Sequence, residues 1–305
     1  MLIIIWNMRI SAFEKAKVEI GAFFDHSSKK SFTVKSLEHL LKQNQLTWNV
    51  PESKTAENLI TFLTNKSYMN LSVLYRADTN HSISLYTWRT TDPLTVFSGL
   101  KNKAYYTHYT ALFLHGLTEQ TPKTYYLNGE HSGHQTTKDQ NLKQENIDKA
   151  FSKEQRKTGE QYSFNQSTVI LLNGQYTSRL GVIEQNDGVI QYYYTDMIRT
   201  LIDITVRPAY SGGVFEVLKA FESAREKIDP NMLKTYLNQM RFIYPYHQVI
   251  GFYLELAGYP ESTLKLFEQN TNYNFYLTYN MKNPHFNDRW KLFYPRGMQI
   301  SRTES

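Results

Sequence analysis

The chain has 305 residues, of which 41% are hydrophobic and 20% charged. That composition excludes an intrinsically disordered chain and suits one large domain, or a small domain joined to a larger one. The chain contains no cysteine, which excludes disulfides, thiolate metal sites and a Cys nucleophile and fits a reducing cytosol.

The net charge of +6 is unevenly placed. Residues 1–90 hold 11 Lys/Arg against 7 Asp/Glu, whereas residues 91–305 hold 23 against 21. A small basic module beside a near-neutral larger one is the footprint expected of nucleic-acid binding, although many ordinary basic proteins share it. The apolar run Leu2–Trp6 is too short to span a bilayer and has no positive segment before it, so neither an anchor nor a signal peptide is expected. The expectation is a cytoplasmic protein with no membrane partner.

In chain order, Phe13, Ala16, Val18, Ile20, Phe23 and Phe24 suggest the apolar face of a first helix, broken at Lys29-Lys30-Ser31. Phe32-Thr33 opens a second, with Thr33 as N-cap and Leu37, Leu40 and Leu41 at helical spacing. After a polar turn over Gln43–Asn49, Pro51 and Ser53 begin a third helix with Ala56, Leu59, Ile60 and Leu63 inward. Lys54, Thr55, Asn58 and Thr61 then face outward. Two alternating segments follow, Tyr68–Tyr75 and Ser82–Trp88, joined by the polar run Arg76–His81.

This order predicts a winged helix-turn-helix over residues 1–90, its third helix entering the major groove and its hairpin flanking the backbone. Ser53, Lys54, Thr55 and Asn58 supply the short polar groups and the cation that base edges require, and Lys35 and Arg76 are placed for phosphates. The competing reading is a three-helix domain whose polar face is merely solvated or contacts protein.

Thr90–Pro93 reads as a linker to a second domain over residues 91–305. Ala104–Leu114 alternates and then turns helical, ending at Gly116. Thr124–Leu127 is a strand, and residues 128–165 form a polar insert with a surface helix near Leu142–Lys157. Strands are expected at Thr168–Leu172, Arg179–Ile183 and Val189–Tyr194, the last two joined through Asp187-Gly188. Helices then follow at Met197–Val206, Val214–Lys227, Asn231–Phe242, His247–Ala257 and Glu261–Glu268. The fold class is therefore α+β: the winged helix-turn-helix, then a larger α+β domain with a small β core and trailing helices.

No catalytic constellation emerges. His131 and His134 lack a third ligand, and His108 and His115 are better explained by packing beside Tyr105, Tyr109 and Leu112. There is no Walker loop, no Gly-x-Ser-x-Gly and no carboxylate pair followed by Glu-x-Lys; Glu184-Gln-Asn lacks the lysine a metal-dependent nuclease would place there. No catalytic residue, metal ligand or cofactor is expected, and the chain reads as a non-enzyme. Arg199, Asp203 and Arg207 lie at i, i+4, i+8 on one helix face, where Asp203 can pair with either arginine. They read as a structural ion pair or, for Arg207, as an anion contact.

The Arg199-Thr-Leu-Ile-Asp segment and its continuation Arg207-Pro-Ala-Tyr-Ser-Gly-Gly213 resemble the signature of AbiEi-type antitoxins of type IV toxin–antitoxin, phage-defence loci. Tyr106–Leu117, with Ala-Leu-Phe-Leu-His-Gly-Leu at its end, is similar to that family too, as are Ile147–Arg156, Leu171-Leu-Asn-Gly174 and Arg179-Leu-Gly-Val182. The resemblance implies a cytoplasmic DNA-binding autorepressor acting on inverted repeats in its own promoter. It also implies that residues 91–305 support cooperative binding and neutralise a nucleotidyltransferase toxin without a stable complex. The alternatives from the residues are a protein-interaction adaptor in a defence locus and a divergent metal-dependent nuclease using Glu184 and Asp187.

Overall fold

The computed structural model describes residues 10–79, 81–131, 142–269 and 272–298. Leu2–Trp6, Asn80 of the predicted hairpin turn and His134 of the histidine pair lie outside the described residues. The architecture is α+β, as the sequence pattern implies. By its internal contacts the chain divides into two compact units, the first running to Lys103 and taking in Tyr162–Ser167 and Glu184–Tyr192 as well. No helix among the described residues is long and apolar enough to cross a membrane.

The first unit contains α1 (Ala12–Lys15), α2 (Lys17–His26), β1 (Ser31–Thr33), α3 (Val34–Asn44), α4 (Ala56–Asn65), β2 (Met69–Arg76), β3 (Ser82–Trp88) and α5 (Pro93–Ser98). Strand β3 pairs antiparallel with β1 and with β2, and the far end of β2 pairs with the strand Gln161–Phe164. The core collects Ile20 and Phe24 from α2, Leu37 and Leu41 from α3, and Leu59 and Leu63 from α4. Phe24 stacks on Trp88 at 4.9 Å between ring centroids and meets Phe32 edge-on at 5.3 Å, geometry that adds to simple area burial.

Several local details differ from the sequence pattern. The first helix is broken at Ala16, and Val18 is 71% exposed. It stands two residues from Ile20, and a two-residue step turns a helix by roughly 200°, so the two side chains take opposite faces. Phe32 belongs to a short strand, and α3 begins only after Thr33, whose hydroxyl accepts from the Ser36 amide at 3.2 Å. Lys30 is 2% exposed and donates its ammonium to the Phe24 and Asp25 carbonyls at 2.9 and 2.7 Å. It caps the end of α2 and is thereby withdrawn from the basic surface. Pro93 opens α5, with Asp92 accepting from the Thr95 amide at 2.7 Å.

The second unit holds β4 (Tyr105–Tyr106), α6 (His108–Leu114), β5 (Thr124–Asn128) and α7 (Gln144–Phe151). In chain order β6 (Gln161–Phe164), β7 (Ser167–Leu172), β8 (Val182–Asn186) and β9 (Gln191–Thr195) follow. Residues 162–164 of β6, Ser167 of β7, residues 184–186 of β8 and residues 191–192 of β9 belong to the first unit. Next come α8 (Met197–Val206), a 3-10 turn at Pro208–Tyr210, α9 (Val214–Ala224), α10 (Pro230–Gln239), α11 (Tyr246–Leu256) and α12 (Glu261–Phe267). A small sheet closes the described chain: β10 (Phe275–Tyr276), β11 (His285–Asn287) and β12 (Leu292–Tyr294), in which β12 runs parallel to β10 and antiparallel to β11.

The main sheet of this unit has the order β7-β5-β4-β9, with β4 and β5 antiparallel and the outer pairings parallel. Its core is dominated by the trailing helices: Leu201, Ile202 and Ile204 of α8 pack with Val217 and Phe221 of α9 and with most of α11. Gly251 on α11 lies against Trp290; a Cβ there would stand 2.1 Å from the indole ring, so no side chain fits. The predicted surface helix over Leu142–Lys157 is confined to α7, which buries Ile147 and Phe151. Residues 153–160 after it are extended or irregular.

Candidate nucleic-acid face and a cationic pocket

Helix α4 starts at Ala56, three residues later than the Ser53 start the sequence suggests. Pro51 does not open it: the Pro51 carbonyl accepts from the Lys54 amide at 3.0 Å, a turn that precedes the helix. Thr55 is the N-cap, and it forms a reciprocal capping box with Asn58. Both side chains therefore have a structural task that the outward-facing reading had not given them.

Ser53, Thr55, Glu57, Asn58, Thr61 and Asn65 are exposed, while Ala56, Leu59 and Leu63 are buried and Lys54 is half-buried. The exposed face of α4 thus includes an acidic residue, Glu57, which the sequence reading passed over. It sits in the first turn, where a carboxylate interacts favourably with the helix dipole.

Lys35 is exposed in the first turn of α3. Arg76 is at the end of β2, where its guanidinium grips Asp78 through Nε at 2.7 Å and through the second amino group at 3.2 Å. A carboxylate paired in this way offsets the positive charge that the arginine would otherwise present to a phosphate. Arg89 stands 3.3 Å from Asp25 and lies over the Trp88 ring.

In the second unit the Arg199–Asp203–Arg207 set resolves unequally. Arg199 Nε donates to Asp203 Oδ1 at 2.8 Å, with side-chain exposures of 5% and 11%, whereas Arg207 makes no ion pair with Asp203. The reason is local: α8 ends at Val206, and Arg207 leaves helical geometry with φ −137° and ψ 70° before Pro208. The three residues therefore give one buried pair, with Arg207 outside it.

That pair belongs to a longer network. Asp203 Oδ2 accepts from the Thr107 hydroxyl at 2.6 Å, and Arg199 also donates to Thr177 Oγ1 at 3.1 Å and to the Leu180 carbonyl at 2.9 Å. The Thr177 hydroxyl reaches Glu130, which accepts from Tyr105 at 2.9 Å; Tyr105 accepts from Asn128, and Asn128 accepts from the Gly174 amide. Burial opposes ionisation of Glu130, but hydrogen bonds from Thr177, Tyr105 and the Arg179 amide outweigh it and hold the carboxyl below the usual range. Burial is the chief cause that pushes the Tyr105 phenol well up. Each buried polar group is matched by a partner on a different element, which rigidifies this side of the unit.

The network forms one wall of a cavity of about 530 Å³. His108 lies in the wall with φ +53°, an unusual backbone state for a residue other than glycine, and only 8% exposed. Its ring meets Tyr210 edge-on at 5.6 Å, and its Nδ1 is buried without a hydrogen-bond partner. Burial, with the arginines adding to it and Asp203 opposing, lowers the imidazole to about 4. Arg156, Lys157 and Arg207 are exposed at the rim. Arg207 donates to the Arg156 carbonyl at 3.3 Å, the Tyr210 hydroxyl to the same carbonyl at 3.4 Å, and the Thr158 amide to that hydroxyl at 3.3 Å, so segment 156–158 is tied to the turn after α8.

Elsewhere, Glu184 accepts from Gln191 at 2.5 Å, and Asp187 accepts from the Val189 and Ile190 amides, an Asx turn that shapes the hairpin tip. His115 Nε2 lies 2.8 Å from the Thr195 carbonyl. Among the described residues no group of three or more His, Asp or Glu converges as a metal site would require.

The fold is similar to that of the RV2827C protein from Mycobacterium tuberculosis, known from a crystal structure, with a TM-score of 0.52 at 9% identity. The match covers 92% of this chain and 91% of that one. No protein-family model and no curated protein matches the chain.

The sequence reading missed the cavity because its residues come from distant segments: Thr107-His108, Asn128, Arg156-Lys157, Gly174 and the α8 region. One signal was available. Arg156 and Arg207 both fall in the stretches quoted for the family resemblance, but spacing alone does not bring two segments 51 residues apart together.

Proposed function

We propose that this chain is a DNA-binding transcriptional repressor and the antitoxin of a type IV toxin–antitoxin pair. The observation that carries the DNA-binding part is the topology of the first unit. A helix, a short strand, two helices separated by a turn and a two-stranded hairpin, with β1 added to the edge of that hairpin, are the parts of a winged helix-turn-helix. In that reading α4 is the recognition helix. Asn58 and Thr61 lie along its exposed side, Lys54 is half-buried just before its start, and Asn58 retains its amide donors because the cap uses only its oxygen. Lys35 at the start of α3 contacts phosphate, and Ser53 flanks the helix start.

The antitoxin part rests on the resemblance of segments 106–117, 147–156, 171–182 and 199–213 to AbiEi-type antitoxins. The partner toxin in this reading is a nucleotidyltransferase that is neutralised without a stable complex, and the chain acts in the cytoplasm. A reporter driven by the DNA upstream of this gene tests the proposal. Supplying the chain in trans lowers reporter output, Lys54→Ala restores it, and co-expression rescues cells from the toxin encoded next to it. Reporter output that ignores the chain at every expression level contradicts the repressor reading.

A further inference from the structure

The cavity of the second unit has features that repression does not require. All its lining residues belong to that unit, and its volume of about 530 Å³ falls within the roughly 300–1,000 Å³ of small-molecule sites. Its rim carries Arg156, Lys157 and Arg207, and among the described residues no carboxylate pairs with any of the three. The one carboxylate in the lining, Asp203, is already committed to Arg199 and Thr107. The rim is therefore a concentration of uncompensated positive charge, and Arg207 and Arg156 are held close together by the backbone contact between them.

Deeper in, the chemistry changes. His108, more than nine-tenths buried, lines the cavity together with Tyr210, Phe242 and Tyr244, which supply aromatic wall. The His108 Nδ1 is buried without a hydrogen-bond partner, which leaves the ring free to adjust when a ligand packs beside it. An imidazole held neutral can donate or accept at that atom according to its tautomer.

We infer that this cavity binds a nucleotide-like ligand: a planar heterocycle against His108 and the tyrosines, with a phosphate at Arg156, Lys157 and Arg207. Inorganic phosphate alone would leave the aromatic lining unused, and an apolar ligand would leave the rim cations without a counter-charge. A continuous nucleic-acid strand is served by an open cationic groove along its backbone, whereas here three cations and several aromatic rings line one cavity. The geometry favours a free mononucleotide.

The test is calorimetric titration of the full chain with AMP, CMP, GMP and UMP, and with the matching nucleosides, inorganic phosphate and a short single-stranded oligonucleotide. At least one monophosphate binds with Kd below about 1 mM, and its nucleoside and inorganic phosphate bind at least about tenfold more weakly. Arg207→Gln and Lys157→Gln, both on exposed residues, each weaken that binding by about tenfold or more, the loss of one hydrogen bond to a charged group. His108→Asn, which keeps a residue tolerant of positive φ, weakens the nucleoside part as well. Absence of binding by all four monophosphates overturns the inference. So does binding of the oligonucleotide alone, or monophosphate binding that both rim variants leave unchanged.

Discussion

Thr55 and Asn58 satisfy each other at the start of α4: the Thr55 amide donates to Asn58 Oδ1 at 3.1 Å, and the Asn58 amide donates to Thr55 Oγ1 at 3.4 Å. The first turn of a helix has amides with no partner inside the helix, and this exchange settles one of them together with the cap residue's own. The Asn58 amide group is thereby held in a fixed direction, and in the proposed DNA-binding role its NH₂ donates outward. Preorganisation of this kind lowers the entropy lost when a side chain meets a base edge.

The two tasks of Asn58 are separable by substitution. Thr55→Ala removes the cap and lowers stability by about 1 kcal/mol in urea denaturation. Asn58→Asp keeps an acceptor for the Thr55 amide and places a negative charge at the favourable end of the helix, so stability holds or rises. The same change removes the donors and repels phosphate, so affinity for promoter DNA falls by about tenfold or more. A variant that loses stability and keeps DNA affinity would assign Asn58 to the cap alone.

In the proposed DNA-binding role Asp78 competes with phosphate for Arg76, and removing that carboxylate is expected to strengthen DNA binding. Asp78→Asn releases the guanidinium from its bidentate pair. Affinity for specific and random duplex then rises alike, and the slope of log K against log salt steepens by about one unit. Salt titration by gel shift measures it, and an unchanged slope would remove Arg76 from the phosphate contacts.

The buried pair in α8 should show the asymmetry of charge burial. Asp203→Leu leaves Arg199 buried without its carboxylate and costs about 3–5 kcal/mol of stability. Arg199→Met combined with Asp203→Leu costs less than Asp203→Leu alone, because no charge is then stranded. Chemical denaturation of the single and double variants compares the two, and a double variant no more stable than the single one contradicts the account.

Acid weakens the fold through its buried histidines. Burial holds His108 and His247 at about 4 in the folded chain, against about 6.5 when unfolded. Between those values the unfolded chain binds more protons, so stability is complete above pH 6.5 and declines as the pH falls to 4. For His108 the loss is roughly 3 kcal/mol across that window. Thermal melts between pH 7 and 4 follow it, and His108→Asn flattens the slope. An equal slope in that variant would mean that His108 is not the group being titrated.

How legible all this was in the sequence depended on the length and continuity of each element. Helix α8 falls at Met197–Val206, where its unbroken apolar spacing, the Asp196 cap and Pro208 put it. Thr33 as cap and the Leu37, Leu40 and Leu41 face of α3 were equally readable. Strands β1, β10, β11 and β12 have two or three residues each, too few for an alternating pattern to register. Strand β8 begins at Val182, because Ser178, Arg179 and Gly181 take positive φ and turn the chain where the apolar run suggests a strand. In the α4 region the residue types of the exposed face were visible. The cap that employs two of them was not, since Pro51 and Ser53 offered an equally plausible start. The cavity depends on tertiary contacts between segments far apart in the chain, which no local period encodes.

The most direct test of the central claim is an anisotropy titration of the full chain against two labelled duplexes at about 150 mM salt. One carries the DNA upstream of its own gene, the other a shuffled sequence of equal length and composition. Reading through α4 predicts a preference for the upstream duplex of about 10³ or more, reduced at least tenfold by Lys54→Ala. Equal affinity for the two duplexes, or none for either, would contradict it.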